Sequence, residues 1–64
     1  MKLKELKKGD FFTKLNISDP KPRQVWVRGE YDRSATRYEC YKWEDVNYTQ
    51  YIRGDREVFC GFTF

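Results

Sequence analysis

Residues 24–45 read QVWVRGEYDRSATRYECYKWED and hold both tryptophans and three of the five tyrosines. Val25, Trp26, Val27, Tyr31, Tyr38, Tyr41 and Trp43 are β-branched or aromatic, side chains that suit a half-buried pleated surface. Between the two runs, Asp32-Arg33-Ser34-Ala35-Thr36 is short and polar. Its Asp and Ser can bond neighbouring backbone. Strand, polar turn, strand is the signature of a β-hairpin. Gly29 inside the first strand marks a bulge or a close approach of a neighbouring strand.

Register decides which side chains share a face. With Ser34 and Ala35 at the tip, Tyr31 opposes Tyr38, Gly29 opposes Cys40, Arg28 opposes Tyr41 and Trp26 opposes Trp43. One face then carries Val25, Val27, Gly29, Tyr31, Tyr38 and Cys40, and is expected to be the core. The other carries Trp26, Arg28, Glu30, Glu39, Tyr41 and Trp43. A slip by one residue places Val25 and Val27 beside Trp43 and Tyr41 instead. The first register keeps Cys40 inside, where free cysteine generally sits, but sets Glu30 against Glu39, a disfavoured like-charge pair.

Upstream, Met1–Lys8 offers at most one helical turn or an extended arm. Gly9-Asp10 reads as a turn, and Phe11–Leu15 as the first strand. Asn16–Arg23, with prolines at 20 and 22, is a loop, because proline cannot donate to a ladder. Downstream, a short strand is expected near Tyr48–Ile52. Arg53-Gly54-Asp55-Arg56 reads as a turn, its RGD tripeptide being a turn glycine between charges. Glu57–Phe64 reads as a last strand with Val58, Cys60, Phe62 and Phe64 facing inward. The expectation is a single all-β domain over residues 1–64, with about five antiparallel strands in a curved sheet or partly open barrel.

Sixty-four residues make one small domain, and such a chain buries only about 60% of its unfolded surface. Two tryptophans, five tyrosines and five phenylalanines supply the apolar area instead. The 36% charged residues would suggest disorder if aromatics were scarce, which they are not. No apolar run reaches signal-peptide or membrane-span length. A cytoplasmic chain with reduced Cys40 and Cys60, and no membrane association, is therefore expected. The net charge of +3 resides in the N-terminal half, around Lys2, Lys4, Lys7 and Lys8.

The phrase L-x-x-L-K-x-G-D-x-F at Leu3–Phe12 resembles the opening of small SH3-like barrels, a likeness of fold only. The pattern K-x-G-D-x-F, V-W-V-R-G-E-Y-D-R-S, R-Y-E-C, R-G-D-R-E-V-F resembles, over Leu3–Phe64, short proteins of gut Bacteroides-type bacteria and their mobile elements. That group has no assigned activity. The resemblance implies a compact β domain in a bacterial cytoplasm and no particular chemistry.

Composition argues against an enzyme. There is no histidine, the usual proton-transfer side chain near neutral pH. No P-loop, HExxH or GxSxG motif occurs. Two cysteines without histidine do not make a zinc site, and no cofactor is expected. The candidate binding residues are Trp26, Arg28, Tyr41 and Trp43, which the preferred register gathers into an aromatic–basic platform. The favoured function is a non-catalytic protein-interaction module, binding a peptide along an edge strand or aromatic groove, or another copy of itself. The alternative is a single-stranded nucleic-acid-binding accessory module, its bases stacked on the platform. Glu30, Glu39 and Glu44 within the hairpin weigh against phosphate.

Overall fold

The computed structural model describes residues 1–62. Its framework is one four-stranded antiparallel sheet: β1 (Phe11–Phe12), β2 (Trp26–Asp32), β3 (Arg37–Lys42) and β4 (Thr49–Ile52), in spatial order β1-β2-β3-β4. Short 3₁₀ turns at Leu3–Glu5 and Pro22–Gln24 are the only other regular elements among the described residues. The domain is all-β, as expected.

The hairpin forms where the sequence places it. Asp32 pairs with Arg37, and Oδ1 of Asp32 accepts from the Ser34 and Ala35 amides at 2.9 and 3.3 Å. That Asx bonding satisfies two turn donors and fixes the tip. Near the tip Tyr31 opposes Tyr38, their rings 4.9 Å apart.

Further along, the register shifts between Arg28 and Tyr31. Arg28 opposes Cys40, Val27 opposes Tyr41 and Trp26 opposes Lys42. Each half of the hairpin thus follows a different one of the two registers weighed above. The cause is a β-bulge at Gly29-Glu30. A Cβ on residue 29 would overlap the Glu39 carbonyl oxygen, so only glycine lets the strands approach there. The bulge also separates Glu30 from Glu39. Glu30 pairs with Lys8, and Glu39 accepts from the Tyr51 hydroxyl at 3.4 Å.

The face assignment is corrected accordingly. The inner face carries Trp26, Arg28, Tyr38, Cys40 and Lys42. Leu3, Leu6, Phe12, Trp26, Cys40, Ile52 and Val58 form one buried cluster, with Tyr38 packed against it. Each large apolar side chain fully buried in this way contributes roughly 1.5–3 kcal/mol. Val25 and Val27 are also buried, but on the outer face, flanked across the ladders by Phe11, Tyr41 and Trp43.

The expected first strand is shorter than read. After β1, Thr13 is buried and its hydroxyl donates to the Leu15 carbonyl at 2.7 Å, while Leu15 is exposed. The expected last strand is present only as two isolated bridges, Lys2 with Glu57 and Thr13 with Phe59. Glu57 and Phe59, two residues apart, bridge to two different parts of the chain, so no ladder propagates, and Gly61 at φ 84° turns the chain. Val58 faces inward as expected, but Cys60 is exposed. Thr63 and Phe64 lie outside the described residues. At the other end, Gly9 takes φ 93° and donates to the Arg28 carbonyl at 2.8 Å, seating the approach to β1 on β2.

Candidate functional site

The bulge divides the expected platform between two faces. Trp26 and Arg28 lie inside, while Tyr41 and Trp43 lie outside. Trp26 is 6% exposed and Trp43 45%. The guanidinium of Arg28 stacks on Tyr38 at 4.2 Å, and its buried Nε has no hydrogen-bond partner among the described residues.

What the fold assembles around Trp26 instead is a cluster of cations. Lys14 Nζ sits 4.2 Å from the Trp26 ring centroid, and Lys42 Nζ 5.6 Å from it. Lys42 also lies 4.9 Å from the Tyr48 ring, which packs edge-to-face with Trp26 at a centroid separation of 5.9 Å. Cation–π attraction holds the ammonium groups there. Lys14 also donates to the Gln50 side-chain oxygen. Burial depresses the Lys14 pKa, and repulsion from Arg56 and Lys42 adds to the effect, against a smaller opposing influence of Cys40.

Gln50 belongs to β4, the edge of the sheet. The Lys42 amide donates to the Tyr48 carbonyl at 3.1 Å. Antiparallel alternation then turns the Gln50 and Ile52 backbone groups toward β3, and those of Thr49 and Tyr51 off the sheet. An open edge of this kind accepts another strand. Proline, inward charge and a bulge, the usual protections, are all missing from Thr49–Ile52, whose defence is its shortness.

Beside this edge runs a groove of about 250 Å³. Gln50, Tyr51 and Ile52 form one wall, and Arg37, Arg53, Asp55 and Arg56 the rest. The Arg53–Arg56 turn is fixed in place: the Arg56 amide donates to the Arg53 carbonyl at 3.1 Å. The Leu3 and Lys4 amides donate to the Arg56 and Gly54 carbonyls, each at 3.0 Å. Asp55 pairs with Arg53 at 3.6 Å. Among the described residues, Lys14, Arg37, Lys42 and Arg56 form no ion pair with a carboxylate. The Tyr51 phenol is pushed to a higher pKa by the nearby Glu39 charge, so it stays a neutral donor.

The site is thus a backbone edge lined with unneutralised positive charge. Lys14, Lys42, Gln50 and Arg56 come from four separate segments, and no sequence spacing announces them. Of the N-terminal lysines that dominate the charge count, Lys4 abuts the Arg53–Arg56 turn through its amide, and Lys8 is engaged by Glu30. No group of three or more His, Cys, Asp or Glu side chains able to hold a metal occurs among the described residues. No helix among them is long and apolar enough to cross a membrane. Comparison with known proteins finds no matching family model, no matching curated protein and no matching solved structure.

Proposed function

We propose that this chain is a small non-catalytic interaction module that binds an extended protein segment by strand addition along β4. The observation that carries the reading is the open Thr49–Tyr51 backbone edge facing a formed groove. In strand addition, main-chain hydrogen bonds supply affinity and flanking side chains supply selectivity. The test is to select binders from a random peptide library and map them by amide chemical shifts. Binders that perturb Thr49 and Tyr51 support the module; binders that consistently map to the outer face around Val27 and Tyr41 sink it.

A single-stranded nucleic-acid module is the second reading, favoured by the unpaired cations Lys14, Lys42 and Arg56. It lacks a free stacking surface at Trp26, whose ring is covered by two lysines and a second aromatic ring. An oligonucleotide affinity that falls steeply with salt would favour it.

The finer architecture belongs to the same proposal. The bridges Thr13–Phe59 and Lys2–Glu57 support a five-stranded, partly open SH3-like barrel in which the C-terminal segment closes on β1. A bacterial cytoplasm is the proposed setting, supported by the sequence resemblance and by an exposed, unpaired Cys60 thiol.

A further inference from the structure

Resting on the strand-addition reading, we infer that the captured segment is acidic, with its carboxylates at alternate positions on the inner face of the sheet beside Gln50 and Ile52. A strand added to β4 pairs with the outward groups of Thr49 and Tyr51. Its side chains alternate between faces as those of β4 do. Those directly opposite Gln50 and Ile52 project to the inner side. There Arg56 lines the groove, and Lys14 is bonded to Gln50. Arg56 and Lys42 both stand near enough to Lys14 to repel its charge. The folded chain therefore holds like charges together without a counter-ion, and desolvates one of them. A carboxylate entering beside Gln50 relieves that repulsion and gains charge-assisted hydrogen bonds from Arg56 and Lys14.

The same charges argue against a second copy of this chain as the occupant. Pairing β4 with β4 would set Thr49–Ile52 against itself, a segment that carries no carboxylate to offer Lys14 and Arg56. They also disfavour a neutral segment, which would leave Arg56 and Lys14 partly desolvated and unpaired.

The test compares two synthetic peptides that alternate glutamate, or glutamine in its place, with threonine and valine, against the intact protein. Amide shifts and affinity are both read. The glutamate peptide should perturb Thr49 and Tyr51 and bind about tenfold tighter than the glutamine peptide at low salt, the preference shrinking as salt rises. Lys14→Met and Arg56→Met should remove most of that preference, and Arg37→Met, on the outer face, little of it. Since the preference is defined by a change in the peptide, it is readable even if one protein variant folds poorly. Equal binding of both peptides with shifts at Thr49 and Tyr51 would overturn the acidic assignment and leave strand addition standing. If neither peptide moves those amides, strand addition itself fails. Binding of oligothymidylate in the absence of any peptide binding would overturn both in favour of a nucleic-acid module. Loss of preference in Arg37→Met alone would overturn the inner-face placement.

Discussion

At the scale of single residues, Gly29 determines more than its size suggests. It is the residue that lets the hairpin change register, and through that change it sends Trp26 inward and Val27 outward. Gly29→Ala would force the new methyl group into the Glu39 carbonyl. The expected cost is roughly 1–3 kcal/mol, typical of overpacking against backbone that cannot retreat, measured by urea unfolding. The glycine was legible in the sequence as a bulge signal. Its effect on register was not, because a bulge leaves the composition of both faces plausible. Cys40 and Cys60 make a second contrast. Burial pushes the Cys40 thiol pKa up, whereas Cys60 is exposed. A thiol reagent should therefore titrate one cysteine rapidly in the native protein and the second only on unfolding. Lys14 gives the third. Its pKa is depressed in the fold, so between that value and the ordinary lysine value the unfolded chain binds more protons, and stability from this group rises with pH. Lys14→Met, which keeps the contact with Trp26 and removes the charge, should melt at or above the wild-type temperature at neutral pH. The gap should narrow as alkaline pH deprotonates Lys14 in the wild type. A variant that melted lower at every pH would mean that cation–π attraction outweighs the repulsion.

At the scale of elements, β4 is the strand on which function turns. Its outward amides are unbonded in the sheet, so Thr49→Pro removes a donor that the fold does not use. The substitution should leave the melting temperature nearly unchanged and abolish binding of extended peptides, read by calorimetry or fluorescence titration. If Thr49→Pro binds as the wild type does, the partner does not add as a strand. The strand itself was foreseeable from Tyr48–Ile52, because its β-rich residues fall between a polar loop and a glycine turn. The terminal strand is realised only in part among the described residues, as two bridges. Alternation in Glu57–Phe64 is real, and Val58 obeys it, but alternation describes one segment and says nothing of partners. Here two bridging partners on different parts of the chain share the segment.

At the scale of the whole molecule, the distribution of charge is the property composition concealed. A net +3 spread over the N-terminal lysines looks diffuse. Folding pairs Lys8 with Glu30 and gathers Lys14, Lys42 and Arg56 beside Gln50. The hairpin could be derived from residue types alone, because aromatic runs around a polar turn admit few other structures. The cation cluster could not, because it depends on topology bringing four distant segments together. The net charge of +3 should also oppose self-association. The protein should sediment as a monomer at low ionic strength, with any self-pairing appearing only as salt screens that charge. A dimer at low salt that dissociates on adding salt would contradict this. One practical consequence lies in the two ammonium groups over the Trp26 indole. Because Trp26 is shielded from bulk water and Trp43 is not, an external quencher should silence the second and spare the first. The remaining emission then comes from an indole whose local field is set by Lys14 and Lys42. An anion that draws Lys14 away would alter its colour and intensity, and the protein would announce the arrival of its ligand without a dye.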